Sequence, residues 1–212
     1  MIRSIVLTET YRQSGVATAD QLTKDPQNIW LARSPRVRLS AEQLRDQGLS
    51  VSGLLSTKMY GPGVMPYQPD GIWNTPYNDD AWELSEGEDR YRRAVYTYWK
   101  RSSPHPAMLT YDAADRQVCV ARRISTNTPL QALVTLNDPS YVEMALHLAR
   151  NAQTLESEIS SQIAYAYRRA IGYEASTAKL AILEDLYEQE LLNYEEQQLA
   201  VDDLLSDLPI AE

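Results

Sequence analysis

The sequence contains one cysteine, two histidines and no long apolar run, and each shortage argues against a class of protein. Cys119 alone cannot form an internal disulfide or a cysteine-rich zinc or iron–sulfur site, and no C-x-x-C-H haem motif is present. The histidines lack H-x-x-x-H or related spacing, so we predict no metal site and no cofactor. No run of about 18 apolar residues occurs, so we predict no direct insertion into a membrane.

The first residues also lack a signal peptide, because MIRSIVLTETYRQ has only three consecutive apolar side chains, Ile5 to Leu7. If the protein is exported, we expect its signal upstream of this segment. The chain has 212 residues, of which 43% are apolar, enough for a substantial core. These values predict a globular chain.

Charge is distributed unevenly along the chain, whose net charge is −9. Residues 151–212 carry 13 acidic and 3 basic side chains, whereas residues 90–123 carry 8 basic and 2 acidic ones. The acidity therefore belongs to the C-terminal part, and the middle is basic. The overall charge and the absence of a known motif argue against a nucleic-acid site.

Several positions in the sequence have the residues that commonly start helices. Thr128-Pro129 and Asp138-Pro139 each place an N-capping side chain before a proline in the first helical turn. Ser40 with Gln43 and Thr128 with Gln131 have the spacing of a capping box. Periodicity predicts further helices at 2–13, at 40–55, and at 155–171 and 176–193 as an antiparallel hairpin. Before residue 155, one apolar helix face is predicted from Val142, Ala145, Leu146 and Ala149.

Two segments depart from the helical pattern. Residues 60–89 are rich in proline, tyrosine and tryptophan, which predicts a long ordered loop fixed by its aromatic side chains. Residues 91–101 alternate aromatic and β-branched side chains, which indicates a strand pairing with a second one near 108–111.

These patterns predict a mainly α fold: a helical domain with a small β-hairpin, a long proline- and aromatic-rich ordered loop and a C-terminal antiparallel helical hairpin. We expect residues 1–150 to form a helical core with the loop excursion at 60–89 and the hairpin at 91–111. Residues 151–212 are expected to form acidic helices packed on that core as one domain.

Five motifs occur in one order and point to a family. They are TETYRQSG at 8–15, SAEQLRDQGLSVSG at 40–53, YRRAVYTYWKR at 91–101, TYDAADRQVC at 110–119 and RRISTNTPLQALVTLNDP at 122–139. Together they resemble the planctomycete-type surface domain, a domain of unknown function, over roughly residues 3–195.

The resemblance implies a context rather than an activity. Relatives place this domain in the C-terminal part of large exported proteins, which often carry a cytochrome-c-like domain upstream. It therefore implies an extracytoplasmic location, in the periplasm or at the cell surface, and partners among upstream domains of the same polypeptide. No catalytic residues are known for the family, so none can be transferred.

Three side chains could support acid–base chemistry. His105 lies shortly before Asp112 and Asp115, and two carboxylates in different environments are what a carbohydrate hydrolase uses. The same spacing suits Asp112 as the N-cap of a helix over 113–121, with Asp115 in its first turn. We favour the capping interpretation over catalysis.

The basic and aromatic segment suggests ligand binding instead. Arginine forks bind carboxylate, sulfate or phosphate, and aromatic faces stack on sugar rings. The candidate residues for an acidic or sulfated polysaccharide are Arg92, Arg93, Trp99, Arg122, Arg123 and Asn127. The alternative is that Arg122 and Arg123 neutralise the acidic C-terminal helices. Asn78, Asp79 and Asp80 are a further candidate, for calcium.

Two functional hypotheses follow from the sequence. The favoured one is a non-catalytic structural or binding module of an exported multidomain protein. The other is a carbohydrate-acting hydrolase-like domain using Asp112, Asp115 and His105.

Overall fold

The computed structural model describes residues 1–73 and 81–196, and the fold is mainly helical, as predicted. The chain divides into two compact units, Met1–Leu39 and Ser40–Glu212. The first unit contains α1 (Ile2–Val6) and α2 (Ala19–Lys24). The second contains α3 (Ala41–Ser52), α4 (Pro106–Thr110), α5 (Pro129–Asn137), α6 (Pro139–Leu155), α7 (Ile159–Ile171) and α8 (Thr177–Glu196). The domain boundary at residue 150 stays a prediction.

The predicted β-hairpin at 91–111 is wrong, because the described residues contain no strand pair there. Short 3₁₀ helices at Gly87–Tyr91 and Ala94–Tyr96 occupy its first limb, and α4 occupies the second. A single parallel bridge joins Val64 to Thr97. The alternating aromatic pattern reflects packing instead: the Tyr96 ring lies 3.8 Å from the guanidinium carbon of Arg92.

Local capping chemistry predicts two of the helix starts. Ser40 forms the expected capping box with Gln43, and Asp138 caps α6 by accepting a hydrogen bond from Ser140 N at 2.9 Å. Thr128 is the N-cap residue of α5, but the predicted capping box is wrong because its side chain makes no capping bond. Gln131 is directed to other partners, described below.

Three further helical predictions need correction. The first helix ends at Val6 rather than continuing to residue 13, where Thr8 Oγ1 donates to Ile5 O at 2.8 Å and competes with the helical pattern. Residues 113–121 form no helix. On α6 the predicted apolar face is misplaced, since Ala145 and Ala149 are exposed. The buried positions of α6 are Ser140, Glu143, Met144 and Ala152.

The core of the second unit is built around α3, which packs against α6 and contributes a residue to each of two clusters. One cluster combines Ala41, Ala94, Met108, Tyr111 and Ala113, and the other combines Leu49, Tyr91 and Met144. These side chains are few and mostly small or aromatic. Buried polar groups fill much of the remaining interior.

The C-terminal helices form the expected pair. Helix α7 ends at Gly172, whose left-handed φ of 89° suits a residue without a Cβ, and α8 begins five residues later at Thr177. Lys179 Nζ, in the first turn of α8, hydrogen-bonds Tyr167 Oη near the end of α7 at 3.1 Å. The start of α8 therefore lies beside the end of α7, as an antiparallel hairpin requires.

Contacts among its own residues fix part of the aromatic loop. The rings of Trp73 and Trp82 meet edge to face at 5.0 Å, and Trp82 Nε1 donates to Pro66 O at 2.9 Å. The calcium candidates Asn78, Asp79 and Asp80 lie outside the described residues.

Candidate functional site

Residues 113–125 form a loop whose two ends are joined by Asp112 and Thr126. The Asp112 carboxylate accepts hydrogen bonds from Thr126 N at 2.7 Å and from Thr126 Oγ1 at 2.8 Å. Asp112 has a left-handed φ of 61°, which short polar side chains tolerate best after glycine. We call this contact the Asp112 clamp and residues 113–125 the clamped loop. Compact surface loops closed at their neck often carry function.

Gln131 supports the Asp112 clamp from α5. Its side chain is buried, and its Nε2 donates to Thr110 O at 2.9 Å and approaches Asp112 Oδ2 at 3.4 Å. Tyr111 Oη donates to Gln131 O at 2.7 Å and also contacts Thr135 Oγ1. The amide expected to cap α5 therefore ties α5 to α4 and to the clamp.

The clamped loop presents a cation beside an aromatic ring. The guanidinium carbon of Arg116 lies 4.7 Å from the centre of the Trp99 ring, within the range of a cation–π interaction. Trp99 Nε1 donates to Asp115 O at 3.2 Å, which fixes the indole against the loop. Arg122, in the same loop, is exposed, as is Asn127 just beyond it.

Two of the arginines predicted to bind ligand have internal partners. Arg92 is 1% exposed, and its guanidinium donates to Pro62 O at 3.1 Å and to Tyr60 O, so it anchors the start of the aromatic loop. Arg123 forms a bidentate pair with Glu42 at 2.7 and 2.9 Å. This hydrogen-bonded arginine lowers the pKa of Glu42 to about 2. Arg123 thus pairs with α3 rather than with the acidic C-terminal helices.

The three catalytic candidates are engaged separately. His105 is buried, and its Nε2 lies 2.9 Å from Tyr67 O. It lines a cavity of about 10 Å³, room for about one water molecule, which Asp112 and Asp115 do not line. Asp112 holds the clamp, and Asp115 is exposed and accepts a hydrogen bond from Gln117 N at 3.1 Å. These positions give no shared cleft for acid–base catalysis.

His105 provides a pH-dependent prediction. Burial lowers its pKa to about 4, so the folded chain resists protonation of a ring that the unfolded chain protonates near pH 6.5. Because the unfolded state binds the proton more tightly, the free energy of unfolding should fall as the pH falls from about 6.5 to about 4. In His105→Gln this dependence should become shallower, as measured by urea unfolding at a series of pH values. The control is Gln117→Ala, a change at an exposed position whose side chain does not titrate, which should leave the pH dependence unaltered.

Sequence reasoning missed a buried polar network centred on Arg45. This side chain is 7% exposed, its Nη2 donates to Arg90 O at 2.9 Å, and burial lowers its pKa. Nearby, Glu143 is 4% exposed, accepts a hydrogen bond from Tyr91 Oη at 2.7 Å and lies 3.7 Å from Arg90 Nη2. Helical spacing could have predicted that Arg45 is buried, because it lies on the same face of α3 as the buried residues Ala41, Leu49 and Ser52.

A family model described as "PSD1: Protein of unknown function (DUF1553)" matches residues 1–187. The chain belongs to the PSD1 family. The PSD1 match includes the whole clamped loop, the Asp112 clamp and the buried Arg45 network. Its description assigns no activity, and neither the curated proteins nor the solved structures give a match to this chain.

Two further features are absent from residues 1–73 and 81–196. No group of three or more histidine, cysteine, aspartate or glutamate side chains there could hold a metal ion. No helix in those ranges has both the length and the apolarity needed to cross a membrane.

Proposed function

We propose that this chain is a non-catalytic binding module that recognises an acidic or sulfated polysaccharide with the clamped loop. The observation that supports this most directly is the exposed Arg116 held over Trp99, with Arg122 exposed in the same loop. Guanidinium groups bind sulfate and carboxylate, and the exposed part of a half-buried indole can contact a sugar ring. Arg93 is also exposed and is included in the proposed surface.

The arrangement of the polar side chains supports a non-catalytic role. General acid–base catalysis requires groups within hydrogen-bond reach of a common substrate atom. His105, Asp112 and Asp115 instead satisfy a backbone carbonyl, the clamp and a local turn. Arg92 and Arg123, also considered for a site, bind partners within the fold.

The proposed setting is that of an exported protein with further domains. An extracytoplasmic location, a planctomycete source and an upstream cytochrome-c-like domain are parts of this proposal that rest on the resemblance of the five motifs. The upstream domains of the same polypeptide are the proposed protein partners.

The proposal is tested by titrating the chain with heparin as the sulfated probe, using calorimetry, and with dextran as the neutral comparison. Arg116→Gln and Arg122→Gln should each weaken heparin binding about tenfold, since a hydrogen bond to a charged group contributes about 1.5–3 kcal/mol. Arg150→Gln removes the same charge from the exposed side of α6 and should leave binding nearly unchanged.

Three outcomes would contradict the proposal. Heparin binding could be absent, or Arg150→Gln could weaken it as much as the loop variants do, which would indicate attraction by charge alone. Release of new reducing ends from a polysaccharide, abolished in Asp112→Asn, would favour the hydrolase-like alternative instead.

A further inference from the structure

The first unit leaves its apolar side chains uncovered. Among Met1–Leu39 the one buried residue is Asp25, and no apolar side chain reaches the same burial. The exposed apolar side chains of this unit are Met1, Ile2, Ile5, Leu7, Tyr11, Val16, Leu22, Ile29, Trp30, Leu31, Val37 and Leu39. A segment of about 40 residues rarely supplies a sufficient core of its own. This surface therefore has the character of an interface.

A built turn shapes part of this surface. The Asp25 carboxylate accepts hydrogen bonds from Ile29 N and Trp30 N, both at 2.8 Å, and these bonds lower its pKa. The Arg33 guanidinium donates to Asp25 O and Pro26 O, both at 2.9 Å. The backbone of residues 25–33 is thereby held in one conformation.

Beside this turn lies a groove with a volume of about 610 Å³. Its walls include the apolar side chains of Val16, Leu22 and Leu31, and the exposed cation Arg36 lies at its edge. The unit as a whole carries six basic and three acidic side chains, and with Arg33 and Asp25 both committed to the turn it has five basic and two acidic ones left. A complementary ligand would be apolar and acidic.

The second unit offers such a ligand in α8. This helix carries six acidic side chains and one basic side chain, and none of its residues is buried. It has 20 residues against 13 in α7, so about 10 Å of α8 extends past its neighbour in the hairpin. That end exposes Leu191, Leu192 and Tyr194 beside Glu195 and Glu196.

We propose that the groove of residues 15–36 receives the acidic C-terminal end of α8 from a second copy of this chain. A helix that places apolar side chains in a groove is a common recognition mode, and opposite charges orient it. A symmetric contact of α8 with α8 would instead oppose two helices of like charge. The contact is heterologous: each copy has one groove and one helix end, so copies join head to tail.

Two variants that each disable one half of the contact test this proposal. Leu22→Glu/Arg36→Glu places negative charge in the groove, and Leu191→Glu/Leu192→Glu removes the apolar side chains of the helix end. Each is expected to weaken association at least about tenfold, since buried anchor residues at an interface cost more than about 1.4 kcal/mol when removed. Their masses are compared with that of the unaltered chain by sedimentation velocity over a range of concentrations.

The unaltered chain should gain mass as its concentration rises, and the gain should shrink at high salt. Each variant alone should gain mass only at concentrations at least about tenfold above those at which the unaltered chain does. An equimolar mixture should form a complex of two chains and no larger one, because one intact groove meets one intact helix end and the two altered halves repel.

Several results would overturn the proposal. They are an unaltered chain that stays monomeric at every concentration, a mixture that stays monomeric, and a groove variant that associates as strongly as the unaltered chain. The milder variants Arg36→Gln and Leu192→Gln repeat the comparison if a double variant loses its helical circular dichroism. They should weaken association in the same pattern, and no weakening in either would also overturn it.

Discussion

Replacing Arg45 with methionine is expected to lower the free energy of unfolding by about 3–5 kcal/mol, the usual cost of removing one partner from a buried group of charges. The guanidinium of Arg45 opposes the charges of Asp138, Asp46 and Glu143. Methionine fills similar space but removes this buried cation, so that Glu143 keeps Arg90 at 3.7 Å while the attraction of Arg45 for all three carboxylates is lost. Urea unfolding monitored by tryptophan fluorescence measures the loss.

The reason for so large an effect is burial rather than the number of bonds. Glu143 is 4% exposed and could not recover the lost interaction from water. Burial already raises the pKa of Asp138, which shows how weakly the surroundings solvate a negative charge there. Without Arg45, folding would require burying or protonating carboxylates that the unfolded chain exposes.

Two comparisons isolate the network. Arg150→Met makes the same change at an exposed position of α6 and should alter the free energy of unfolding by less than about 0.5 kcal/mol. Arg45→Met/Glu143→Met removes opposite charges together and should cost less than the sum of the two single changes. An Arg45→Met chain as stable as Arg150→Met would show that the guanidinium contributes nothing.

Local chemistry explains which helices could be predicted. Ser40 and Asp138 start helices where the sequence predicts them because each cap binds a backbone N–H two or three residues away. The interaction lies within one turn, so the sequence contains all of it. The mainly helical fold follows from several such starts and from the periodicity of the long C-terminal helices.

Distant partners explain the errors. Asp112 has the spacing of a helix cap, yet its carboxylate binds Thr126, which lies 14 residues away. Gln131 has the spacing of a capping box, yet it reaches Thr110 O. The alternation at 91–101 suggested a strand, whereas Arg92 from that segment is buried under the loop carbonyls of Tyr60 and Pro62. No spacing rule within a short window can identify partners so far apart.

In the candidate site, too, local features could be predicted from the sequence and distant partners could not. Sequence composition located the basic and aromatic region, including Trp99 and Arg122. It could not separate arginines that are exposed from those with internal partners, because Arg123 and Glu42 are 81 residues apart. Arg116, which lies over Trp99, was counted in the basic segment but was not among the predicted binding residues.

Removing the Asp112 clamp is expected to cause the second large loss of stability. Asp112→Gly should lower the free energy of unfolding by about 2–3 kcal/mol, because hydrogen bonds to a charged group contribute about 1.5–3 kcal/mol each and part is regained from water. Glycine accommodates the φ of 61° without strain, so the loss comes mainly from the missing carboxylate, with a smaller part from the greater freedom of glycine in the unfolded chain. Asp112→Ala removes the same bonds and adds backbone strain, and should therefore be less stable than Asp112→Gly.

The clamp also predicts a change in local opening. Arg116, Arg122 and Arg123 are trypsin sites in or beside the clamped loop, and a released loop should be cut there faster than in the unaltered chain. Thr126→Val removes Oγ1 but keeps the backbone N–H that donates to Asp112, so its cutting rate should fall between those of the unaltered chain and Asp112→Gly. Because Thr126→Val and Asp112→Gly share a bond, the double variant should lose less stability than the sum of the two. Equal cutting rates in the unaltered chain, the two single variants and the double variant would show that the loop keeps its conformation without the clamp. Other contacts would then have to hold the proposed polysaccharide surface in place.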